Sequence, residues 1–100
     1  MRALWMACGL ILANPVWAIL DCSKAKSNVE KLLCSSQRAA TADQEMALSF
    51  RAAFARTADR AALLSDQKRW QESVRDQCPD VPCLLQVYRE RASELEDIQR

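Results

Sequence analysis

The sequence predicts an all-α fold, a small disulfide-stabilised helical bundle or hairpin with a short N-terminal helix. Apolar residues recur at steps of three and four over most of the chain, the spacing that lines one face of a helix. No stretch alternates apolar and polar residues as a half-buried strand does. Four cysteines, Cys22, Cys34, Cys78 and Cys83, follow an export signal and read as two disulfides. A domain this small buries a modest core, so each bridge matters, at about 2–4 kcal/mol.

The signal comes first. Arg2 supplies a basic start, and Ala3 to Leu12 is almost wholly apolar. Asn14 and Pro15 then break any helix, and Val16-Trp17-Ala18 places small residues where a signal peptidase reads them. This is the layout of a secretory signal peptide over residues 1–18, cleaved near Ala18. The apolar run falls short of the roughly 20 residues that span a bilayer, so no stable membrane insertion is expected after cleavage. A lipid anchor on Cys8 is disfavoured: Trp5-Met6-Ala7 lacks the aliphatic residue expected three places upstream, and the apolar run would be cut in half. Residues 19–100 remain as one domain of 82 residues, periplasmic or secreted.

The whole chain has 14 Lys and Arg against 13 Asp and Glu; removing Arg2 with the signal leaves 13 of each. A formal net charge of zero argues against broad electrostatic binding to nucleic acid or anionic lipid. The mature domain has neither glycine nor histidine. That excludes a glycine-rich phosphate loop and removes the usual left-handed helix stop, the commonest general base and the commonest metal ligand.

Within the domain, Ser27-Asn28-Val29-Glu30 matches a capping box, with a short helix following through Leu32, Leu33 and Cys34. Ser35 and Ser36 are the next capping candidates. Gln37 to Arg56 has no proline or glycine and is rich in alanine, which favours helix. Ala39, Ala42, Met46, Phe50, Ala53 and Phe54 form its apolar stripe. Thr57-Ala58-Asp59 offers a break and a fresh cap. A third helix is expected over 60–77, with Leu63, Gln67, Trp70 and Val74 on one face and Lys68, Arg69, Glu72 and Arg75 away from it. It ends at Cys78, because Pro79 disfavours helix in the residue before it. Asp80 can cap a last helix over 82–98, and Pro82 suits its first turn. There Leu84, Tyr88, Arg91, Leu95 and Ile98 repeat at four, three, four and three, a stripe suited to helix packing.

Three segments together form a family pattern. "LDCSKAKSNVEKLLCS" (Leu20 to Ser35), "DQKRWQESVRDQC" (Asp66 to Cys78) and "CLLQVYRERASELE" (Cys83 to Glu96) contain all four cysteines. They resemble, respectively, the Cys-flanked Val-Glu-Lys-Leu opening, the Gln-x-x-Trp helix and the closing Cys-Leu-x-x-x-Tyr-x-x-Arg segment of the lysozyme inhibitor LprI-type N-terminal domain family. Val29, Glu30, Lys31 and Leu32 carry the most specific part; Gln67, Trp70, Tyr88 and Arg91 carry the rest. The chain departs from the family at Ser35-Ser36-Gln37, where Ser-Asp-Pro is usual, and at Thr41-Ala42-Asp43, which replaces a Leu-Asp. The resemblance implies a small exported helical domain with lysozyme as its partner, which it inhibits. The alternative is an envelope interaction module with another partner and no effect on lysozyme.

Four cysteines allow three pairings. Cys22–Cys34 with Cys78–Cys83 is preferred, because each bridge joins neighbouring segments across one turn. Zinc is disfavoured: the four residues between Cys78 and Cys83 suit a ligand pair, but the eleven between Cys22 and Cys34 do not. A redox enzyme would want Cys-x-x-Cys near a βαβ unit. The carboxylate pairs Glu72 with Asp76 and Glu90 with Glu94 sit among basic residues and read as solvated surface. No enzyme activity, cofactor or metal is expected. Trp70 is expected to anchor the core and Gln67 to satisfy a buried polar group, with the Tyr88 hydroxyl near the rim and Arg91 paired with Glu30 or Asp43. The corner "CPDVPC" is stapled by cysteine and stiffened by proline. It is therefore the candidate plug for an enzyme cleft, with Asp80 or Val81 at the tip and Asp76 adding negative charge.

Overall fold

A computed structural model describes residues 22–98. The signal segment and its cleavage point lie outside the described residues. Four α-helices and two 3₁₀ turns make up the domain, with no strand among the described residues. A 3₁₀ turn at Cys22–Lys24 leads into α1 (Asn28–Ser35), followed by α2 (Gln37–Arg56) and α3 (Arg60–Ser73). A second 3₁₀ turn at Arg75–Gln77 then leads to α4 (Val81–Glu96). The all-α, disulfide-tied fold is the one the periodicity predicts.

With no glycine to adopt a left-handed stop, α1 and α2 end by stepping into extended backbone. Ser36 (φ −129°, ψ 114°) does this for α1, and its hydroxyl accepts the Ala39 N–H to start α2. Thr57 (φ −74°, ψ 148°) ends α2, and Asp59 accepts the Ala62 N–H to start α3. The capping box at Ser27 and Glu30 forms as the sequence predicts.

The main packed pair is α2 with α4. Ala39 and Ala53 on α2, together with Leu84 and Leu95 on α4, are fully buried. Small residues on one helix and large ones on the other let the pair interdigitate. Arg56, in the last turn of α2, donates from Nε to the Ile98 carbonyl (2.7 Å) and from Nη2 to the Leu95 carbonyl (2.7 Å). The two carbonyls lie in the last turn of α4 and just past its end, where a cation suits the helix dipole. The two C-termini are thereby pinned together, so α2 and α4 run the same way and α3 carries the chain back. α3 approaches α2 and α4 less closely along its backbone, and reaches the core through Leu63, Gln67 and Trp70.

The third helix is shorter than its sequence suggests, ending at Ser73 rather than 77. Cys78 must be extended before Pro79 (φ −71°, ψ 128°) while its sulfur stays in the core, and the chain meets both demands by tightening into the 3₁₀ turn. Val74 is therefore carried out to solvent, off the expected stripe, and Arg75, expected to point away, is half-buried. α4 begins one residue early, at Val81, and ends at Glu96, with Ile98 half-buried just beyond.

Among the described residues no helix is long and apolar enough to cross a membrane.

Candidate functional site

Both preferred disulfides are present. Cys22–Cys34 (Cα–Cα 5.7 Å) ties the first 3₁₀ turn to α1, and Cys78–Cys83 (Cα–Cα 5.5 Å) closes the corner between the second 3₁₀ turn and α4. The corner is fastened at three further points. Cys78 is buried; the Asp80 side chain accepts the Cys83 N–H (3.0 Å) as the cap of α4; and Asn28 Nδ2, from the first turn of α1, donates to the carbonyls of Cys78 (3.1 Å) and Pro79 (3.3 Å). Such a corner loses little freedom on binding.

Of the three residues expected to meet a partner, two face outward. Asp80 is exposed, with one oxygen committed to the cap. Asp76 is exposed and pairs with its neighbour Arg75 (2.9 Å). Val81 does not stand at the tip. As the first residue of α4 it is half-buried and packs against the core, because a helix start that follows a buried cysteine turns its first apolar side chain inward. The outward face of the corner is Pro79, Asp80 and Pro82, with Asp76 beside it.

The motif residues fall into structural roles. Val29 is buried, and Leu32 packs at the edge of the core. Lys31 is exposed. Glu30 accepts the backbone N–H groups of Lys26 (2.8 Å) and Ser27 (3.1 Å), which hold its carboxyl below the ordinary 4.5. Trp70 and Tyr88 meet in the core with ring centroids 5.8 Å apart.

Arg91, only 5% exposed, pairs with neither Glu30 nor Asp43. Its Nε donates to Gln67 Oε1 (2.9 Å), Nη2 to Asp66 (2.8 Å) and Nη1 to Glu94 (3.1 Å), and its guanidinium lies 5.9 Å from the Trp70 ring centre. Arg91 lies in the later half of α4, beside α3, whereas Glu30 is spent on the cap of α1. Gln67 completes the chain by donating to the Met46 sulfur (3.3 Å).

Tyr88 departs most from expectation. Its hydroxyl is buried rather than at the rim, and it is the one buried side-chain polar atom among the described residues without a hydrogen-bond partner. Asp43 and Arg75 lie near enough to influence it but not in bonding geometry. Burial pushes the phenol well above its usual 10.0, Asp43 acts the same way, and Arg75 opposes them.

The sequence reading missed an open groove of about 930 Å³ between α2 and α3, with Leu33 and Phe50 among its walls. Its signal was a second stripe on α2, in which Ala40, Ala47, Leu48 and Arg51 recur at helical spacing beside the core stripe. Among the described residues, no group of three or more acidic, Cys or His side chains could hold a metal.

Comparison with known proteins finds no matching family model, no matching curated protein and no matching solved structure.

Proposed function

We propose that this chain is an exported protein that binds and inhibits a lysozyme, and that the Pro79–Asp80 corner is the part that meets the enzyme. The observation that carries the reading is the corner itself: an exposed acidic projection held by a disulfide, a helix cap and a side chain from another helix. The residues shared with the lysozyme-inhibitor pattern supply the target. The two disulfides fit an oxidising compartment, in keeping with a signal peptide ending near Ala18.

Inhibition of this kind asks for no chemistry from the inhibitor. A glycosidase works through two carboxylates that flank the scissile bond, and a rigid body seated across that cleft excludes the polysaccharide. Lysozymes are commonly basic, so Asp76 and Asp80 speed encounter.

Asp80→Asn tests this directly. Asparagine caps a helix about as well as aspartate, so the corner keeps its shape and loses only a charge. The expected result, in a cell-wall turbidity assay, is several-fold weaker inhibition, with a difference that shrinks as salt is raised. Unchanged inhibition by Asp76→Asn/Asp80→Asn would remove the corner from the interface.

A further inference from the structure

We infer that the groove between α2 and α3 is a docking site for an acidic amphipathic helix of a partner protein. This inference is independent of the lysozyme reading and concerns a different face.

The groove has the form of a helix bed. Its α2 wall runs from Ala40 to Arg51 at steps of three and four, about 16 Å at 1.5 Å per residue, or three helical turns. Ala40 and Ala47 on that wall are small and leave room for another backbone. Leu48 on α2 and Leu64 on α3 both line it, 55% and 52% exposed. Two large side chains left this open on the two walls suit the apolar stripe of an incoming helix.

Charge selects the occupant. Arg51 on one wall and Lys68 on the other form no ion pair among the described residues. Arg75, at the inner end, is already paired with Asp76, and Asp43 is the one acidic residue along the lining. In a domain with balanced formal charge, two unpaired cations flanking an apolar strip favour carboxylates on both sides of the occupant's stripe. A second copy of this chain fits poorly. A two-fold pairing of this patch with itself would set Arg51 and Lys68 of one copy against the same cations of the other.

The test uses fluorescence anisotropy with the oxidised domain and labelled designed peptides of about twelve residues, matched to the groove length. One peptide carries a leucine stripe flanked by glutamates, a second the same stripe flanked by lysines, and a third a central proline that breaks the helix. The Glu peptide should bind about tenfold more tightly than the Lys peptide at about 50 mM salt, with the gap closing as salt rises. The proline peptide should not bind. Leu48→Gln/Leu64→Gln should abolish binding with an unchanged thermal melt, and Arg51→Glu/Lys68→Glu should invert the charge preference. Equal binding of the Glu and Lys peptides, no binding of either, or indifference to the leucine changes overturns the inference. So does a dimer in sedimentation equilibrium that the leucine changes dissolve, since the groove would then belong to a second copy.

Discussion

Replacing Arg91 by methionine separates a structural role for the motif from a ligand-binding one. The guanidinium is buried, and its three hydrogen-bond acceptors differ in kind. Gln67 is buried, so losing its donor strands an amide oxygen at about 1–3 kcal/mol. Asp66 and Glu94 are 50% and 63% exposed, so each lost ion pair is screened and costs about 0.5 kcal/mol. Loss of the contact with Trp70 adds about 0.5–1 kcal/mol. Methionine fills much of the space and removes the cost of burying a cation, which offsets part of the sum. The net expectation is about 2–3 kcal/mol, read as a shift in urea midpoint by far-ultraviolet circular dichroism at pH 7. Adding Gln67→Leu removes the stranded oxygen together with its former partner. The double variant should therefore lie at least about 1 kcal/mol above the sum of the two single changes. A single-variant loss below about 0.5 kcal/mol, or strict additivity, refutes the buried network as a stabilising unit.

Tyr88→Phe should be neutral or stabilising by up to about 1 kcal/mol, because it deletes a buried hydroxyl that has no partner; a loss beyond that in thermal melts contradicts the geometry. Cys78→Ser/Cys83→Ser opens a loop with a sequence separation of 5 and should cost about 2 kcal/mol through the unfolded chain, against about 3 for the Cys22–Cys34 loop with its separation of 12. The reverse order in urea unfolding would sink the loop-entropy account. Glu30 is held below its ordinary 4.5, so its charged form stabilises the fold above that pH, and the contribution fades as pH falls through the lowered folded value. The Tm gap between wild type and Glu30→Gln should accordingly be present at neutral pH and close in acid; a gap constant with pH contradicts the assignment.

The parts written in local chemistry were the parts the sequence made legible. The capping box at Ser27, the unbroken run from Gln37 to Arg56, the cap at Asp59 and the corner at Asp80 each depend on residues within four positions of one another. The preferred disulfides follow the same logic, since each spans one turn. Choices made between distant elements were not legible. Arg91 met Asp66 and Gln67 rather than Glu30 because helix order and direction decide which carboxylates reach it. α3 stopped early because Cys78 had to satisfy a proline and a buried disulfide at once. Val81 turned inward, away from the tip, for the same reason. The groove depends on how far α3 stands from α2, which no single-helix pattern encodes.

One assay bears most directly on the proposed function: the rate of lysozyme-driven clearing of a cell-wall suspension, with the oxidised mature domain added in increasing amounts. The account predicts that clearing slows in proportion to domain added, at low salt first, and that Asp80→Asn blunts the effect. Full-rate clearing with every lysozyme type tried, at a large molar excess of folded, disulfide-intact domain, would contradict it.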